Sequence, residues 1–351
     1  MTPYIVLLLM VCLFLFAYKV TRSIFFIYPL VLIIILFCGL RASSVGIDTN
    51  NYVGMFHSVD LTTSFFTNSY SFEYGFALLL KVTAFFSNDY WLFLLVAGGL
   101  PIYFNVRALY SISHDFVISM FLFMTTCTYF FVFNGLRQAI AASIFSMAIV
   151  ALVRNQKLNY LAWILIAALF HQSVIVAIPC FWVVRHPFSF KFITYLFFAV
   201  IVFIFTISHL DLFMSVNDSQ RYTQYIDRGA TGAGLLTFFF MMLSLFYIYM
   251  RKFIVESSIS EYDIYLNLSV IVTTIYVSVW LMGLDVNLVR LTLYFSFGHL
   301  LIWPFIFQCE FNGFKPIITL CFTLTFTLFF YIYLNKMGYV PYALNPSFIL
   351  F

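Results

Sequence analysis

Apolar runs of membrane-spanning length recur from one end of this 351-residue chain to the other, and that feature leaves few folds open. In hydrocarbon every backbone N–H and C=O needs an internal partner, so continuous runs of this kind must be helices. Hydrophobic residues make up 64% of the sequence and charged residues 9%, with 48 Phe and 24 Tyr. A mean hydropathy of +1.03 excludes an ordinary soluble domain. The net charge of +4 is too small to suggest a nucleic-acid partner, and the basic residues are scattered along segment boundaries. No soluble module is long enough to stand alone, so residues 1–351 read as a single transmembrane domain: an all-α polytopic membrane protein.

Candidate spans are 3–18, 23–40, 90–108, 116–133, 136–153, 158–170, 172–184, 190–208, 234–252, 262–282, 288–307 and 316–334, about twelve, some short or re-entrant. The first run, Pro3–Tyr18, lacks a basic head and a small-residue cleavage site and reads as a retained span. The apolar stretch 158–184 is either one long helix or two half-length ones meeting at His171. Arg154 and Lys157 precede it, and Arg185, His186 and Lys191 follow it. Basic loops favour the cytoplasm, so both ends lie on that side and the stretch dips in and returns, with His171 near the turn. Residues 73–87 are short and contain Glu73 and Lys81. Spanning there would invert the later basic loops, so this segment is expected to lie as an interfacial helix on the outer face. Both termini then fall outside, together with two substantial extracytoplasmic segments, 41–89 and 209–233.

In so charge-poor a chain, arginines pressed against apolar runs ask for a physical reason. Arg41 opens the first outer segment, in Arg-Ala-Ser-Ser-Val-Gly-Ile-Asp-Thr-Asn-Asn-Tyr. It is either a snorkelling anchor for the preceding helix or a planar fork for phosphate oxygens. Asp48 is either its ion-pair partner or a base for a sugar hydroxyl. Arg137 follows the turn signal Asn134-Gly135 and falls in the first turn of a helix, where an anion would meet both the guanidinium and free backbone N–H groups. Arg290 repeats that placement at the head of a later span. His171 is a structural pin or a proton acceptor. Arg221, Tyr222 and Tyr225 combine a cation with aromatic faces suited to a sugar, or form an interfacial tyrosine belt. Tyr52 and Glu73 complete the candidate substrate-binding set. The six cysteines show no metal-ligand spacing. No cofactor and no metal are expected.

Taken in order, Arg41-x3-Val-Gly-x-Asp48-x3-Tyr52, Asn134-Gly-x-Arg137-Gln, Phe170-His171-x-Ser173, Arg221-Tyr-x2-Tyr225, Arg290 and Pro341-Tyr342 resemble the EpsG family of polysaccharide-assembly membrane proteins. That family includes many Wzy-type O-antigen polymerases. The resemblance runs from about residue 24 to 342, with Ile47 where the family often carries Thr. It implies polymerisation, outside the cytoplasmic membrane, of oligosaccharide units carried on undecaprenyl pyrophosphate. The outer loop with an Asp before an interfacial helix also resembles GT-C glycosyltransferases in architecture. The expected enzyme is a glycosyltransferase of the bacterial inner membrane with its site facing the periplasm. Its partners would be the lipid-linked oligosaccharide, membrane lipid, a chain-length regulator and a flippase. Arg137 and Arg290, with Arg41, are expected to stabilise the pyrophosphate leaving group, and Asp48 or His171 to take the acceptor proton. A flippase for the same lipid-linked unit and an O-antigen ligase are the rival readings.

Overall fold

The computed structural model describes residues 1–64, 72–126, 128–208, 234–283, 286–309, 311 and 313–348. Among them no strand forms; one antiparallel bridge pairs Arg41 with Leu344. The fold is all-helical, as the apolar runs demand.

All the apolar segments carry helix, but their lengths differ. Among the described residues, six helices are long and apolar enough to cross a membrane: Thr2–Thr21, Trp91–Ile112, Leu136–Val153, Gly234–Phe253, Glu256–Leu281 and Lys315–Lys336. A seventh span forms if the pair Leu288–Phe295 and Phe297–Gln308, bent by 43°, counts as one. The remaining apolar helices have 10–17 residues, so length supports six or seven spans where the hydropathy pattern suggested about twelve. Asp115 caps one such helix, accepting from Val117 N at 2.9 Å and Ile118 N at 3.2 Å. The stretch 158–184 breaks at 169–171 into half-length pieces. The Tyr160 hydroxyl donates to Ala177 O at 2.5 Å, which shows that the second piece returns alongside the first.

The chain gathers into two compact units. The first comprises residues 1–178 and 310–351. Its helices are α1 (Thr2–Thr21), α2 (Ile27–Gly39), α3 (Thr49–His57), α4 (Tyr74–Phe86), α5 (Trp91–Ile112), α6 (Phe116–Thr125), α7 (Leu136–Val153) and α8 (Lys157–Ala168). A long C-terminal helix, Lys315–Lys336, belongs to the same unit. Helix α7 is the hub: it packs on α5 and α8, and most of it is buried. Helix α1 instead leaves Leu9, Leu13, Phe16 and Val20 exposed on one face. An apolar face open on a long apolar helix is what lipid contact requires.

The last residues are tied into this unit. Ala42 N donates to Ala343 O and Asn345 N to Leu40 O, at 2.9 and 2.8 Å. The Tyr342 ring stacks on Phe37 at 4.1 Å, and its hydroxyl donates to Phe37 O at 2.8 Å.

The second unit spans residues 179–309. Its centre is the helix Ile259–Leu281, which carries buried polar residues, two of them tying the helix to its neighbours. Asp263 accepts from Arg251 Nε at 2.6 Å, from Arg251 Nη2 at 2.8 Å and from Phe188 N at 3.1 Å. Asn267 Nδ2 donates to the carbonyls of Val184 and His186. His299 lies buried between the Phe240 and Tyr247 rings, with centroids 5.2 and 5.7 Å away, as a packed polar group.

Candidate functional site

The candidate site in the first unit begins with the turn before α7. A 3-10 turn over Tyr129–Phe133 ends where Asn134 N and Gly135 N both donate to Phe131 O, at 3.1 and 2.9 Å. Helix α7 starts one residue later, so Arg137 stands in its first turn. The Asn134 side chain does more than signal a turn: Oδ1 accepts from Ile47 N at 2.8 Å and Nδ2 donates to Met337 O at 3.0 Å. Three segments far apart in sequence thereby meet at the head of α7. Gly46 makes the approach possible. Its φ is +89°, and a Cβ there would stand 2.6 Å from Phe133 O.

Arg41 has a different place from the expected one. It is wholly buried, not a phosphate contact at an outer surface. Its Nη1 donates to Cys38 O at 2.5 Å, its Nε to Thr49 Oγ1 at 3.3 Å, and its guanidinium lies 4.5 Å over the Phe133 ring. The geometry explains this: Arg41 follows the end of α2, where carbonyls lack helical partners and a cation both caps them and opposes the dipole. Of the two readings of Asp48, an ion pair with Arg41 is not among the contacts that Arg41 makes; Asp48 sits half-buried before α3. Tyr52 is also turned inward, its ring packed edge-on against Phe76 at 5.9 Å, so it braces α3 on α4 and is not an open sugar platform.

Glu73 gathers the remaining chemistry. It precedes α4 in extended conformation, outside the long spans. One carboxylate oxygen, Oε2, lies 2.8 Å from Arg137 Nη1. The other, Oε1, lies 3.0 Å from His171 Nδ1 and accepts from Gln172 N at 3.3 Å. Gly75 lets α4 reach the 169–171 turn: its N–H donates to Leu169 O at 2.7 Å, and a Cβ would stand 2.8 Å from that oxygen. Side-chain exposure is 12% for Glu73, 29% for Arg137 and 28% for His171, so the carboxylate is enclosed while both partners reach open space. Burial alone would raise the Glu73 carboxyl. The His171 hydrogen bond, a backbone bond and the Arg137 charge outweigh it and hold the group down at about 2. The carboxylate is therefore ionised at any physiological pH. Among the described residues, Nε2 of His171 and the Nε and Nη2 of Arg137 make no hydrogen bond to protein.

The structure thus joins Arg137, His171 and Glu73. Neither the pairing nor the role of Asn134 as a three-way tie was anticipated. A lone carboxylate two residues before a glycine at a helix start was the available signal for the first. Arg290 ends the 3-10 turn Val286–Leu291 in the second unit, where it is exposed. Arg221, Tyr222 and Tyr225 lie outside the described residues. Among those residues, no three His, Cys, Asp or Glu side chains come together as metal ligands.

A model of the EpsG family matches residues 23–344, nearly the whole chain. The chain belongs to the EpsG family. As an EpsG-family protein it is a polysaccharide-assembly membrane protein. The joined motifs (the 41–52 island, Asn134 to Arg137, His171 and Pro341-Tyr342) all lie within the matched EpsG region. No curated protein and no solved structure matches the chain.

Proposed function

We propose that this EpsG-family chain is a polysaccharide polymerase of the bacterial inner membrane. In this reading it transfers a growing glycan from undecaprenyl pyrophosphate onto the terminal sugar of a lipid-linked repeat unit, at the outer face. The observation that carries the proposal is the Glu73–Arg137–His171 cluster, half-enclosed at the head of α7 in a membrane protein of this family. Departure of a pyrophosphate builds negative charge, and a preorganised guanidinium at a helix N-terminus is suited to receive it. Glu73 engages only Nη1, which leaves the rest of the Arg137 fork for phosphate oxygens. Asp48 and His171 remain the candidates for the acceptor's proton.

Deletion of the gene tests the reading, with the surface polysaccharide run on a gel. Loss of the ladder with single-unit capping retained is expected of a polymerase. Loss of both ladder and capping overturns it in favour of a flippase or ligase.

A further inference from the structure

The choice between Asp48 and His171, and the role of the carboxylate that faces His171, follow from how Glu73 divides its two oxygens. We propose that Glu73 is a positioning residue that holds His171 in the Nδ1–H tautomer, so that His171 Nε2 takes the proton of the acceptor sugar hydroxyl beside Arg137. This rests on the polymerase reading and deepens it.

The argument starts from donor counting. Oε1 of Glu73 already faces the Gln172 N–H at 3.3 Å and His171 Nδ1 at 3.0 Å. An ionised carboxylate accepts and cannot donate, so Nδ1 must carry a hydrogen. In neutral imidazole the second nitrogen is then the acceptor. That nitrogen makes no hydrogen bond to a described residue, and the side chain is 28% exposed. A carboxylate behind Nδ1 stands in the relation that a buried acid has to histidine in hydrolytic triads.

Oε2 meanwhile holds Arg137 Nη1 at 2.8 Å. One side chain therefore sets the spacing between proton acceptor and guanidinium. Among the described residues, the charged side chain in contact with His171 is Glu73 at the head of α4, and Arg137 at the head of α7 holds the other oxygen of that carboxylate.

The step balances as follows. The acceptor oxygen forms a bond to the anomeric carbon of the donor glycan and gives its proton to His171 Nε2. The bond from that carbon to the pyrophosphate oxygen breaks with its electron pair. The lipid pyrophosphate leaves with the added negative charge near Arg137, and the imidazolium returns its proton to solvent or to the departing phosphate. No oxidant, reductant or co-reactant is needed.

Glu73→Gln is the informative variant because glutamine has one acceptor oxygen where Glu73 uses two. Either orientation turns an amide N–H2 toward a donor, His171 Nδ1–H or Arg137. Glu73→Asp keeps both oxygens and the charge. Two readouts are made on the full-length protein in detergent. Selective 15N-histidine labelling reports the ring tautomer, with the His171 signal assigned by its loss in His171→Gln. Turnover of a lipid-linked repeat unit gives kcat and KM separately. We expect Glu73→Gln to lower kcat by ~10²-fold with little change in KM, the size of a general-base contribution, and to shift the His171 Nδ1 and Nε2 signals away from the Nδ1–H tautomer. Glu73→Asp should restore part of both.

Loss of turnover with the tautomer unchanged, or a changed tautomer with full turnover, overturns the proposal in either variant. So does an Asp48→Asn protein that abolishes kcat while His171→Gln keeps it. If the wild-type chain transfers no glycan at all, the polymerase reading falls, while the tautomer measurement still decides whether Glu73 orients His171.

Discussion

Replacing Arg137 by lysine separates charge from shape. In the wild-type chain, Nη1 of Arg137 contacts Glu73 Oε2 at 2.8 Å while the rest of the fork reaches open space. A lysine ammonium keeps the charge and can satisfy Oε2, so the ion pair survives. That pair is partly exposed, 29% on the arginine side, and partly solvated ion pairs contribute only about 0–1 kcal/mol to folding. Expression and thermal stability should therefore stay near wild type. The planar second edge of the guanidinium is lost, however, and with it the two-point grip on phosphate oxygens. A preorganised donor aimed at developing charge is worth roughly 2–4 kcal/mol, about 30- to 1000-fold in rate. The assay is turnover of lipid-linked repeat units by purified protein, paired with the polysaccharide ladder in cells carrying the variant. Wild-type turnover and ladder length in a well-expressed Arg137→Lys strain would refute the leaving-group argument and reduce Arg137 to the structural partner of Glu73.

Three further outcomes are expected. Because Glu73 is held down at about 2 in the folded chain against about 4.3 unfolded, it contributes stability that is fully present above the unfolded value and lost as pH falls through about 2; Glu73→Gln should flatten that part of the acid dependence of thermal unfolding in detergent, and an unchanged profile would speak against the ionised, paired carboxylate. Gly75→Ala puts a Cβ 2.8 Å from Leu169 O and must push the head of α4 from the 169–171 turn, so turnover should drop at least tenfold while the protein still folds, with loss of the Nδ1–H tautomer at His171 as the check. Single cysteines at Ser58 and Asn88, in a background without native cysteines, should label with an impermeant maleimide in intact spheroplasts, whereas those at Ser113 and Asn155 should not; labelling at Asn155 and not Asn88 would overturn the outer placement of α4.

Much of the site was legible as separate residues. Asn134-Gly135 announced a turn into a helix, and α7 starts there with Arg137 in its first turn. His171 interrupted an apolar stretch, and the chain does break and return at 169–171. Arg41 was misleading because a boundary arginine serves equally well as a helix C-cap. The Cys38 carbonyl, the Thr49 hydroxyl and the Phe133 ring, the last 92 positions away in sequence, distinguish that use from an outward-facing cation.

The sequence alone determined the class of the molecule, since apolar length and the need to satisfy backbone groups in hydrocarbon are local properties that any stretch carries with it. It also determined where helices must break, because turn residues and lone polar groups act on their own neighbourhood. Tertiary structure alone decided which arginine is enclosed and which charges meet. Glu73 lies 64 residues from Arg137 and 98 from His171. Nothing in the spacing of single charges encodes those distances in space. They follow from α4 seating its glycine against the 169–171 turn and from Asn134 tying the first loop and the C-terminal tail to the head of α7, contacts that exist only once the helices have packed.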